Sequence, residues 1–128
     1  MQNAIAINKP IKTPQMLLCS DNIHDFGNRV QSCMMEGDSM QPTIQPGELI
    51  AFAECGGMIL QAGIYVFTRD VFGRSCVFVK RVRPMPDGTL MIISDNYHYE
   101  NFTLDADEQS DMRVHGRVIA SMTIRRFV

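Results

Sequence analysis

This sequence has no apolar run near the ~18 residues a membrane-crossing helix needs, and its first thirty residues lack the charged-then-apolar pattern of an export signal. The expectation is a cytoplasmic protein that makes no membrane contact. Its four cysteines, at 19, 33, 55 and 76, form no Cys-x-x-Cys pair, and no histidine lies at ligand spacing from them. Neither a metal site nor a disulfide framework is indicated, and no cofactor is expected. Basic excess is missing as well. With a net charge of -2 the segment is not built to grip nucleic acid by itself, because phosphate contacts demand clustered lysine and arginine. Internal repeats and low-complexity stretches are also lacking. Residues 1 to 30 hold no long pattern at all. Asn3, Asn8, Pro10, Pro14, Asn22, Gly27 and Asn28 interrupt every short apolar run, so they read as an arm or linker, too broken for a helix-turn-helix unit.

From residue 31 to 128 the chain reads as a single mostly β domain with a real core, since 45% of the residues are hydrophobic. Strands are expected near 31–36, 49–54, 64–68, 75–83 and 90–94, followed by 112–127 as one long or bent strand pair. Phe72-Gly73 and Pro86-Asp87-Gly88 supply hairpin turns.

Two stretches carry chemistry. Gly37-Asp38-Ser39-Met40-Gln41-Pro42 puts a serine in a glycine- and proline-punctuated turn, where a hydroxyl can stand clear and backbone amides can face a substrate oxygen. Val79-Lys80-Arg81-Val82 puts a lysine inside an apolar strand. With alternating side chains, Cys76, Phe78, Lys80 and Val82 share one face, and Val77, Val79, Arg81 and Arg83 the other. A lysine can take a proton from serine only when it is neutral, and burial favours the neutral form. Ser39 and Lys80 are therefore a candidate serine-lysine dyad. The plain alternatives are a turn serine bonded to its own backbone and a strand lysine whose head reaches water.

These residues carry a resemblance. Gly37-Asp38-Ser39-Met40 with Pro42-Thr43-Ile44 and Pro46-Gly47-Glu48, then Val79-Lys80-Arg81-Val82, Ser94-Asp95-Asn96 with Tyr99, and Val114-His115-Gly116-Arg117-Val118 resemble the carboxy-terminal domain of the self-cleaving LexA, phage-repressor and UmuD proteins. The likeness covers about residues 31 to 128, with five blocks in the right order. It implies a LexA-like, signal-peptidase-like complex of short, strongly bent antiparallel sheets with little helix. It further implies that Ser39 attacks a peptide carbonyl while Lys80 takes its proton, and that the amides of Asp38 and Ser39 hold the oxyanion. Gly37, Met40, Pro42, Ser94, Asp95 and Asn96 would support the site. The implied partners are a second copy of the chain in a homodimer, a RecA filament as trigger, and the protein's own linker as substrate. DNA would be reached only through an amino-terminal domain missing from this sequence.

Self-cleaving relatives cut at Ala-Gly or Cys-Gly upstream of the serine, and residues 1 to 38 contain neither pair. Cys55-Gly56 and Ala62-Gly63 follow Ser39 and read as turn glycines. The resemblance thus leaves three options: a scissile bond outside this chain, an unusual dipeptide, or a dimerisation module that no longer cuts. A UmuD-like polymerase accessory protein is the other functional reading, and a signal-peptidase-like enzyme fits less well without an anchor. A triad would have to recruit His24, His98 or His115. Asp105-Ala106-Asp107-Glu108 with Asp111 lacks the glycine of a calcium loop and reads as a solvated loop.

Overall fold

A computed structural model describes residues 30–125 and 127 of the chain; of the arm expected at 1–30, residues 1–29 lie outside the described residues and Val30 opens the first strand. Seven strands run β1 (Val30–Met34), β2 (Leu49–Ala53), β3 (Gly63–Val71), β4 (Arg74–Pro84), β5 (Leu90–Ile93), β6 (Phe102–Leu104) and β7 (Arg113–Met122). They join in one antiparallel sheet of order β1-β2-β7-β3-β4-β5-β6. The only helical turn among the described residues is a 3-10 turn at Glu108–Asp111. Mostly β with little helix is thus what the chain adopts.

The sheet alternates strictly enough to bury both of its faces. On β3, Tyr65 and Phe67 enter one core while Val66, between them, enters the other. On β4, Phe78 and Val82 go with Tyr65 and Phe67, and Val79 goes with Val66. The two-residue turn at Phe72-Gly73 closes this long hairpin, with φ of +51° and +77°, as a primed turn requires. Both strands extend further toward that turn than the sequence pattern suggested, because exposed Arg74 and Ser75 keep the ladder without apolar alternation.

The expected strand pair at 112–127 is instead a single strand. β7 lies between β2 and β3, and twice it offers two residues against one: His115 is the extra residue between the Val66–Gly116 and Phe67–Val114 pairs, and Ile119 between Ala51–Ala120 and Phe52–Val118. A bulge turns the following side chain to the opposite face. Val114 and Val118, which share a parity, therefore pack into different cores. Gly116 permits this crossing, since a Cβ there would lie 2.5 Å from the Ala53 carbonyl oxygen.

β6 and the 3-10 turn were not foreseen. Three residues are too few to show a period. The acidic run does not stay an open loop either: Asp105 and Glu108 cap each other, with amide-to-carboxylate bonds of 2.9 Å in both directions. That Asp-x-x-Glu spacing is the sequence signal of a capping box.

Candidate active site

The serine turn is a closed loop with apolar feet. Its base is fastened by Met35 N–H to Glu48 carbonyl and Gly47 N–H to Met35 carbonyl bonds, both 2.8 Å. Gly37, with φ of +79°, makes the sharp entry that a side chain would strain. Met40 and Ile44 lie one helical turn apart, joined by an Ile44 N–H to Met40 carbonyl bond of 2.9 Å, and both are buried among Met35, Ile50, Phe52, Val66 and Val79. The peptide between Gln41 and Pro42 is cis. Ser39 sits between the sharp glycine and the buried methionine and is partly exposed. Among the described residues, no acceptor takes the amide hydrogens of Asp38 or Ser39.

Lys80 pairs across the strands with Tyr65, on the face that also carries Phe78 and Val82. It is half-buried, and burial pulls its pKa below the ordinary lysine value. Its Nζ donates to Ser94 Oγ at 2.8 Å. No hydrogen bond joins it to Ser39 among the described residues. The face of the Tyr99 ring lies 5.6 Å from the same nitrogen.

What brings lysine and serine to one place is the turn from Ser94 to Tyr99. Ser94, buried, takes the lysine. Asn96, also buried, donates its backbone N–H to the Ser39 carbonyl and its side-chain Nδ2 to the Asp38 carbonyl, both at 3.0 Å. Its Oδ1 accepts from the His98 amide at 3.0 Å, so every polar atom of this buried amide side chain is used. Tyr99 donates its hydroxyl to the Asp38 carboxylate. Asp95 accepts from Arg81 Nε and Nη2 at 2.8 and 2.7 Å and from Thr43 Oγ1 at 2.6 Å. The Arg81 guanidinium holds the Asp95 carboxyl below the usual carboxylate range.

Of the residues expected to matter, Gly37, Ser39, Met40 and Pro42 thus share one loop, and Ser94, Asp95 and Asn96 bind that loop to the Lys80 strand. The sequence did not announce Arg81, Thr43 and the Asp38 side chain. Their bonds join positions 14 to 61 residues apart, which no local spacing reveals. No histidine among the described residues bonds Ser39. The His98 ring lies tilted against Tyr97 with centroids 4.3 Å apart, and His115 is the extra residue of a β7 bulge. His24 lies outside the described residues. Among those residues there is no group of three potential metal-binding side chains, and no helix long and apolar enough to cross a membrane.

The sequence model of the family described as peptidase S24-like matches residues 7–119. The chain belongs to the peptidase S24-like family. Within the curated proteins, the 26 kDa repressor protein of Escherichia phage HK022 is similar to it, at 32% identity over 96 residues. The match takes in 74% of this chain but only 38% of that repressor, so the chain spans about two fifths of its relative.

Proposed function

We propose that the domain is a self-cleaving serine peptidase in which Ser39 is the nucleophile and Lys80 the general base. Ser39 Oγ attacks a peptide carbonyl carbon and its proton passes to Lys80 Nζ. The amides of Asp38 and Ser39 receive the negative oxygen, and Lys80 returns the proton to the departing amine. Water then releases the acyl group. The substrate is the protein's own linker, which leads to a DNA-binding domain outside this chain. Cutting it separates reading head from pairing domain, since paired chains read two half-sites. Pairing would use β7 beyond Arg117, where Ile119 and Met122 are exposed and the strand pairs with β2 alone, since the ladder with β3 ends at Arg117. A RecA filament is the trigger proposed from the family likeness.

The observation that carries this reading is the Ser94–Tyr99 turn, which bonds the Ser39 backbone and the Lys80 amine within one short segment. A pairing module without chemistry is the second reading. The Lys80–Ser94 bond favours it. The discriminating experiment is the mass of the full-length natural protein before and after alkaline incubation. Cleavage that is lost in Ser39→Ala and in Lys80→Ala supports the peptidase. An intact mass throughout supports the module.

A further inference from the structure

We propose that Tyr99 is a positioning residue of this site: its hydroxyl fixes the serine turn through Asp38, while its ring face holds the Lys80 side chain beside that turn. The proposal rests on the peptidase reading and adds a part to it. Two contacts of one side chain carry it. The hydroxyl reaches the carboxylate of the residue just before Ser39, 61 positions away in sequence, and the ring lies 5.6 Å from Lys80 Nζ. The backbone at Tyr99 is itself fixed, since its N–H donates to the Asn96 carbonyl at 3.1 Å. Tyr99 is nevertheless 45% exposed, so the side chain that meets the lysine lies at the surface.

The contacts have opposite consequences for reactivity. Burial favours the neutral amine that a base must be, whereas an aromatic face attracts the charged one. The other groups around Lys80 do little to its charge. Ser94 offers a hydroxyl, and Tyr65, paired across the strand, directs its own hydroxyl to the Gln61 carbonyl at 2.8 Å. Arg81 points to the opposite face and is neutralised by Asp95, and the Asp38 carboxylate is engaged by Tyr99. Tyr99 thus keeps Lys80 in place and partly charged until a substrate chain displaces the ring.

The chain has only three lysines, at 9, 12 and 80, so the side-chain carbon signals of labelled lysine can be followed through a pH titration of the 128-residue protein. Tyr99→Leu keeps an apolar cover but removes the π-face, and it should lower the Lys80 midpoint by about half a pH unit, roughly threefold in neutral fraction. Tyr99→Phe keeps the ring and should leave that midpoint in place, while the Asn96 and Gln41 amides, which donate to the Ser39 and Asp38 carbonyls, exchange with solvent several-fold faster. An unchanged or raised midpoint in a folded Tyr99→Leu chain overturns the proposal. So do unchanged Asn96 and Gln41 amides in Tyr99→Phe, which decides alone if the leucine variant does not fold. A Lys80 that titrates with Lys9 and Lys12 in the unaltered chain counts instead against its role as base.

Discussion

The two faces of the sheet bury cores of different make. The buried residues of one core all come from strands: Tyr65, Phe67, Val82, Leu90, Ile92 and Leu104. The other draws Met35, Met40 and Ile44 from the serine loop and sets them against Ile50, Phe52, Val66 and Val79. The first core holds the sheet together; the second also seats the serine turn. Strand β4 repeats the contrast in two adjacent cations. Arg81, on the loop side, is paired with Asp95 and so locked into structure. Lys80, on the strand side, meets only a hydroxyl and a ring. A cation with a carboxylate partner is held charged, while one that is desolvated without such a partner is free to lose its proton. That difference fits the proposed role of Lys80 as the base and leaves Arg81 an architectural one.

The largest expected effect falls on the strand core. Phe67 is fully buried and stacks on Phe78 at 5.4 Å, so Phe67→Ala should cost about 3–5 kcal/mol in denaturant unfolding. Self-cleavage per folded molecule should be unaffected, and a specific loss there would erase the division between the cores. Next comes the turn that joins them. Asn96→Ala removes bonds to the Asp38 carbonyl and the His98 amide, and should cost about 1–3 kcal/mol. Its self-cleavage should fall by more than the lost folded fraction explains, because the Ser39 turn loosens.

The smallest effect sharpens the contrast through pH. Burial, with Arg113 nearby, pushes His115 in the β7 bulge down to about 4. A base with a depressed folded-state pKa binds protons better when unfolded, so its contribution is present above the ordinary histidine value of about 6.5 and fades as pH falls toward 4. Melting temperature should decline across that window, and less so in His115→Gln. An equal decline in the variant would assign the effect to other groups.

Much of this was legible. Period-two alternation correctly put Lys80 with Phe78 and Val82 and turned Arg81 away, and Phe72-Gly73 announced its hairpin. The β7 bulges were not legible, because one extra residue leaves composition unchanged while reversing which side chains face inward. Nor was the joining turn. Ser94-Asp95-Asn96 stood out as a motif, but what each side chain holds depends on residues brought near only when β4 and β5 pair.

The most direct test of the central claim is the pH profile of self-cleavage in the full-length protein, unaltered and as Lys80→Ala. The account predicts a rate that climbs to a plateau with a midpoint below the free-lysine value of about 10.4, and no such climb in the variant. An identical profile in Lys80→Ala would contradict it.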